Sequence, residues 1–443
     1  MSSLADRLRE LVKPITRGAN LPPPREASAD RRSLGEGGYG SPEAEPQGLA
    51  PQVSDDDRRG RLQPTHDAAE TLGGEWRESR GRKFLVVDRK YSPGYRHGRV
   101  SVADCLPPWT RFELLGGTNG QMLFLDLETT GLAGGAGTYA FLVGCGWFDG
   151  GTFRLRQFFL SDFGAERALL EAVGELADDL ACIVTYNGKT FDLPLLETRF
   201  SLQRMATPFA QIAHVDMLHP ARRMWRDEEV ECRLTYLEQA LCGHERESDV
   251  PGFEIPSRYF HYVRSGDARP LQAVFEHNRL DIVSLAMLTA RAAQLLEDGP
   301  SAAITGREAF GLGRLYERAG LMDDALASYG RAALTGTVSI RVEALRASAI
   351  VLRRLRRYEA AAAAWRNLLA APQCSPAYAR EASEALAVHH EHRARDLEVA
   401  RTFAVQSLSL QGTPTRQQAT RHRLARLDRK LGYRPSPQSA ALF

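Results

Sequence analysis

Phe-Leu-Asp-Leu-Glu-Thr-Thr-Gly, residues 124–131, ends an apolar run with two carboxylates, Asp126 and Glu128, spaced i, i+2. In a β-strand that spacing places both side chains on one face, roughly 7 Å apart. An unpaired buried charge is strongly unfavourable, so two carboxylates in an apolar run imply a compensating positive charge. A divalent metal between them is one source. Salt bridges to Arg or Lys near a sheet edge are the other.

Outward from this string, strand-like runs occur at 83–88, 98–103, 121–127, 139–148 and 152–160, punctuated by Gly and Pro. Short turns between consecutive strands predict an antiparallel meander. Beyond residue 160 the pattern alternates: helix 165–178, strand 181–186, helix 190–200, strand 212–217, then helices at 220–226, 234–241 and 271–296. Antiparallel strands followed by βαβα units predict an α/β fold, one mixed sheet flanked by helices, which resembles the ribonuclease H-like arrangement.

The two ends of the chain read differently. Residues 1–82 are rich in Arg, Asp, Glu, Gly, Pro and Ser, and apart from a short helical pattern at 5–12 they show no sustained periodicity. Such a segment buries too little to offset its ordering entropy and is expected to be a disordered arm. Residues 299–443 are helical in pattern and rich in Ala, Leu and Arg. Gly313, Tyr316, Ala325, Tyr329 and Ala332 resemble the tetratricopeptide pattern, in which small residues let helices cross closely and aromatics fill the groove. Weaker units recur at Arg357–Trp365 and Asp396–Ala400. The expected organisation is therefore an arm (1–82), a sheet domain (83–298) and an all-α helical-repeat domain (299–443) suited to a protein partner.

At 443 residues the chain exceeds one ordinary core. With 43% hydrophobic and 25% charged residues and no apolar run near the ~18 residues of a span, it is expected to be cytoplasmic, with no membrane partner. Six scattered cysteines without Cys-x-x-Cys suit reduced thiols, and Cys232, Cys242 and His244 lack a fourth ligand at zinc-finger spacing. Net charge is only +2, but arginine clusters at 222–226, 353–357 and 416–430. Charge runs of this kind usually form solvated faces.

Three further acidic positions accompany the opening pair. Asp192 follows Tyr186-Asn187-Gly188-Lys189-Thr190-Phe191, Asp216 ends a strand, and Asp281 follows His277-Asn278-Arg279-Leu280 in a long amphipathic helix. With these in order, the chain resembles the DEDD superfamily of 3′–5′ exonucleases, the group of the proofreading exonucleases, and within it the YprB-type ribonuclease H-like branch, over residues 83–297. Asp126 and Glu128 correspond to the first motif, Asn187-Gly188 with Phe191-Asp192 to the second, and His277 with Asp281 to the third. The resemblance implies two Mg²⁺ or Mn²⁺ ions held by hard carboxylate oxygens. Asp126 would bridge both, Glu128 and Asp281 would hold the ion that activates water, and Asp192 would support the second. Thr129, Asn187, Phe191 and Asp216 would position these groups or contact substrate.

His277 departs from the family pattern. Its spacing from Asp281 is the four residues that the family gives to Tyr, although one helical turn still places it beside Asp281. With an ordinary pKa near 6.5 it is a sensible general base. Each position also has a plain structural reading: Asp192 as a helix N-terminal charge, Asp281 paired with Arg279, Asn187-Gly188 as a turn. The Gly-rich 131–137 segment lacks the Lys-Ser/Thr of a nucleotide loop. The expected activity is exonucleolytic hydrolysis of single-stranded DNA or RNA ends, splayed by Phe191 or Tyr139. The rivals are an inactive nucleic-acid-binding scaffold and a structure-specific endonuclease on the same fold.

Overall fold

The computed structural model describes residues 67–131, 135–226, 232–410 and 412–433. Most of the expected arm, with its short helical pattern, lies outside these residues. Its last part does not: α1 (Ala68–Leu72) and β1 (Glu75–Ser79) precede β2 (Arg82–Tyr91), and β1 pairs with β2. The expected boundary at residue 83 thus falls inside a hairpin. Glu75-Trp-Arg-Glu-Ser is almost wholly exposed along its length, so it carries no alternation to reveal a strand.

The segment read as a strand at 98–103 is instead a small hairpin, β3 (Arg96–His97) and β4 (Val100–Ser101), outside the main sheet. Gly98 turns it with φ +62°, a left-handed value that glycine adopts without penalty. Next come β5 (Gln121–Thr129), β6 (Ala140–Asp149), β7 (Thr152–Phe159), α2 (Glu166–Gly174), β8 (Leu180–Thr185), α3 (Asp192–Leu202), β9 (Ala213–Asp216) and α4 (Leu218–Met224). Then follow α5 (Leu234–Leu237), continued by a π-turn at Glu238–Cys242, α6 (Ile255–Ser265) and α7 (Gln272–Asp298). The π-turn divides what the sequence suggests is one helix, and Glu238 is buried there. Helix α6 was not foreseen.

Seven strands form one sheet in the order β1-β2-β7-β6-β5-β8-β9. β5 is antiparallel to β6 and parallel to β8, which is parallel to β9. Strand periodicity sorts the side chains of β5 between two cores. Leu123, Leu125 and Leu127 join a core with Leu170, Phe200 and Tyr259 from α2, α3 and α6. Met122 and Phe124 face the other way, into a core with Ile282 and Leu285 of α7 and Met224 of α4. Asp126 and Glu128, two and four residues past Phe124, share the α7 side.

A helical array completes the chain: α8 (Gly306–Ala319), α9 (Met322–Thr335), α10 (Val338–Arg354), α11 (Tyr358–Ala370), α12 (Pro376–His389), α13 (Leu397–Ser409) and α14 (Pro414–Leu431). Each helix packs on the next. A Cβ at Gly313 would stand 2.6 Å from the Tyr329 ring, so the small residue lets α8 and α9 approach. Tyr316 and Tyr329 are fully buried, and side chains of this size contribute on the order of 1.5–3 kcal/mol each by burial. The array is joined to the sheet region by direct contact. A Cβ at Gly311 of α8 would lie 2.4 Å from the carbonyl oxygen of Arg223 in α4, and buried Glu308 accepts from Trp225 Nε1 at 2.8 Å and pairs with Arg291 at 3.1 Å. Among the described residues no helix is long and apolar enough to cross a membrane.

Candidate active site

The carboxyl ends of β5, β8 and β9 lie side by side, and an open α/β sheet binds its ligands at such ends. β8 pairs with β5 only as far as Phe124, so Asp126 and Glu128 project beyond the last shared rung. The chain leaves β8 through Asn187, whose φ of +68° is left-handed and tolerated by Asn. At Gly188 a Cβ would stand 2.5 Å from Thr185 and 2.7 Å from Oδ2 of Asp192. Asn187-Gly188 is therefore a turn that also admits the Asp192 carboxylate at the start of α3. Asp216 fastens this loop from β9, accepting from the backbone N–H groups of Asn187 (2.7 Å), Lys189 (3.1 Å) and Leu218 (3.1 Å).

Helix α7 closes the site. Asn278, fully buried, donates from Nδ2 to Oδ2 of Asp126 at 2.8 Å and accepts on Oδ1 from Gln157 at 2.9 Å. His277 Nε2 lies 3.5 Å from Asp281 Oδ2 and 4.0 Å from Glu128 Oε1, while its Nδ1 meets Asp249. The guanidinium of Arg246 bridges Asp281 Oδ1 (2.6 Å), Glu238 (2.7 Å) and Asp249 (3.2 Å). Asp281 is thus not paired with Arg279, which instead binds Glu276. Arg246 takes one oxygen of Asp281 and leaves the other facing His277.

Burial and mutual repulsion dominate the electrostatics. Burial, then the charge of Asp281 with those of Glu128 and Asp192, holds the Asp126 carboxyl well above the usual carboxylate range. Burial, with Asp281 and Asp192, does the same to Glu128. Asp192 is pushed up to about 7, by burial first and Asp216 next. For His277 burial favours the neutral ring, but the Asp249 hydrogen bond and the charges of Asp281, Asp249 and Asp126 outweigh it and raise its pKa. Carboxyl groups crowded so that their charges oppose one another are a donor set that a hard dication would satisfy. They are not drawn into a tight cage. Among the described residues only His97, Glu238 and His244 bring three ligand atoms within 4.8 Å of one another. The wider spacing around Asp126 suits a hard dication that keeps several of its waters.

Of the other residues singled out from the sequence, Phe191 is 57% exposed and free to stack. Tyr139 is not: its ring lies beneath the Arg199 guanidinium at 3.8 Å and against Phe163, so it supports the Arg199–Glu166 pair rather than a substrate base. Thr129 donates its hydroxyl to the Gly131 carbonyl at 2.9 Å, which secures the end of β5. Part of the Gly-rich segment lies outside the described residues. Cys242 takes no part in a ligand group, and His244 stacks on His97 at 4.1 Å. Asn278, Asp249 and Arg246 were missed. Asn278 lies inside the quoted His277–Asp281 string, but nothing in the pattern around Arg246 or Asp249 distinguishes them from surface charges.

Two comparisons bear on this geometry. A protein of Bacillus subtilis (strain 168) named "Uncharacterized protein YprB" is 29% identical over 359 residues, covering 78% of this chain and 86% of the relative. The model of the RNase_H_2 family matches residues 123–293, which run from β5 into α7 and include Asp126, Glu128, Asp192, Asp216 and Asp281. Over residues 123–293, strands β5 to β9 with the helices that flank them, the chain is therefore similar to the RNase_H superfamily.

Proposed function

We propose that this chain is a metal-dependent nuclease of the DEDD type that removes nucleotides from the 3′ ends of single-stranded DNA or RNA. The observation that carries the reading is the convergence of Asp126, Glu128, Asp192 and Asp281, from one strand and two helices, at the carboxyl end of the sheet, where burial and the charge of Asp281 raise the pKa of the other three. Asp126 would be shared between two Mg²⁺ or Mn²⁺ ions, with Glu128 and Asp281 on one and Asp192 on the other. When bound, the ions would acidify the attacking water and stabilise charge on the phosphate and leaving oxygen.

The protein's own groups do the rest. His277 Nε2 faces Glu128 and Asp281 and is placed to accept a proton from water as its oxygen attacks phosphorus and the bond to the 3′-oxygen breaks. Asp249 accepts at Nδ1 and fixes the ring so that Nε2 points inward. Arg246 holds Asp281 in place. Phe191 offers a face on which a terminal base can stack. The helical array reads as tetratricopeptide-like, with Gly313 of α8 set against the Tyr329 ring of α9.

The test is purified protein with Mn²⁺ on end-labelled linear and circular DNA and RNA, beside Asp126→Ala. Release of mononucleotides from 3′ ends supports the proposal. Cutting of circles would replace it with an endonuclease, and no metal-dependent cleavage would leave a binding protein. Within this reading, Asp249→Asn is expected to lower kcat about 10- to 100-fold with KM little changed, because it loosens the base without touching substrate. His277→Ala should lose more, about 10²-fold or beyond. Single-turnover kinetics of both variants check this, and wild-type rates in Asp249→Asn would remove its positioning role.

A further inference from the structure

Beside the sheet region and outside the carboxylate site runs a groove of about 1190 Å³, walled on one side by α4 and on the other by α8, α10 and α12. Eight arginines line it, against two glutamates. Arg222, Arg223 and Arg226 come from α4 and the residues after it, and Arg307, Arg314 and Arg318 from α8. Two of the eight are spoken for: Arg354 pairs with Glu317 at 2.6 Å and Arg346 with Glu381 at 2.6 Å. Those six from α4 and α8 form no ion pair among the described residues. Burial and the charges of Arg318 and Arg314 lower the pKa of Arg223, the signature of cations crowded without anions. The Nε of Arg307 is shut off from solvent with no hydrogen-bond partner.

The basic run of α14 differs: Arg423, Arg426 and Lys430 converge on buried Glu391 and share its charge. Among the described residues the groove is thus a concentration of positive charge with few anionic partners, and the Gly311 contact joins its α8 and α4 walls. Its lining also includes Phe310, Ile340 and Tyr378. A lining of fork-shaped donors suits a chain of phosphates.

We infer that the groove between α4 and the helical array binds the phosphate backbone of a single-stranded nucleic acid, making the array a track for the strand rather than a platform for a protein. Helix α4 starts two residues after Asp216, which fastens the loop leading to Asp192, so the track begins at the same end of the sheet as the carboxylates. The continuation of the strand into that site rests on the nuclease reading. The binding itself does not.

Fluorescence anisotropy in EDTA with labelled oligo-dT and oligo-rU of about 20 nucleotides tests it. The combined variant Arg314→Glu with Arg318→Glu, both exposed positions, is compared with Arg366→Glu on α11 outside the groove. Affinity of the double variant should fall about tenfold or more, with the slope of log K against log salt reduced by about 1.4, two contacts at ~0.7 each. Arg366→Glu should bind as wild type. Unchanged affinity and slope in a double variant with a wild-type melting temperature would overturn the proposal. So would oligo-glutamate displacing nothing from the strand while itself binding in a way that needs Arg314 and Arg318, since the occupant would then be an acidic protein. Groove-dependent binding without any cleavage sinks the nuclease reading alone, and cleavage without groove-dependent binding sinks the track alone.

Discussion

Asp126→Asn is expected to lower cleavage by about 10³-fold or more while raising the melting temperature in EDTA. The two effects share a cause. In the folded chain the Asp126 carboxyl is held well above its ordinary range by burial and by the charges of Asp281, Glu128 and Asp192. A carboxyl raised on folding is one whose ionised form the fold resists. Its penalty is absent at low pH, where the group is protonated in both states, and grows as pH rises past the unfolded value. At neutral pH the neutral amide removes the charge, keeps the shape, and can keep an oxygen toward Asn278 Nδ2. Each kcal/mol so relieved raises the melting temperature by about 2–4 °C in a domain of this class. Mn²⁺ should reverse the order, stabilising wild type by linkage and the variant much less. Scanning fluorimetry with and without Mn²⁺, beside the nuclease assay, checks both halves. Wild-type cleavage by the variant, or a wild-type melting temperature indifferent to Mn²⁺, would defeat the assignment.

The same physics governs what was legible in the sequence. Two carboxylates in an apolar run are conspicuous because local pattern and local chemistry conflict, so Asp126 and Glu128 could be placed on one face of a strand, and β5 carries them there. Asp192 and Asp281 were readable because each opens or rides a periodic helix. Arg246 and Asp249 were not. Their meaning comes from contacts 28 to 35 residues distant in sequence, with His277 and Asp281, in a segment without periodicity. β1 was hidden for the opposite reason: its exposed Glu-Trp-Arg-Glu-Ser string has no buried face to pattern. The arginines at 222–226 read as a solvated face, because their partners in the groove sit on α8, about 85 residues later, and charge crowding leaves no local signature.

Gly144→Ala should be among the most damaging single-methyl changes in the chain, although Gly144 has no side chain to offer the chemistry. It stands opposite Asp126 across the β5–β6 ladder. A Cβ there would lie 2.3 Å from Oδ1 and 2.9 Å from Cγ of Asn278, distances at which something must shift. Asn278 cannot swing away cheaply, because it is fully buried and both ends of its amide are engaged, by Asp126 and by Gln157. Overpacking at such a site costs about 1–3 kcal/mol. A severed buried hydrogen bond adds a cost of about the same size. Moving Asn278 also moves α7, and with it His277 and Asp281, and an error near 1 Å in a catalytic group can cost about 10²-fold in rate. Gly144→Ala is therefore expected to lose activity and stability together, in contrast to Asp126→Asn, which loses only activity. Gly94→Ala, where a Cβ meets nothing within 4 Å, is the neutral control. Adding Asn278→Ala to Gly144→Ala separates clash from chemistry: the double variant should be more stable than the sum of the two single losses, because the colliding amide is gone, yet it should stay inactive because nothing then orients Asp126. Additive losses in this cycle, measured by urea unfolding, would show that Gly144 acts elsewhere than on Asn278.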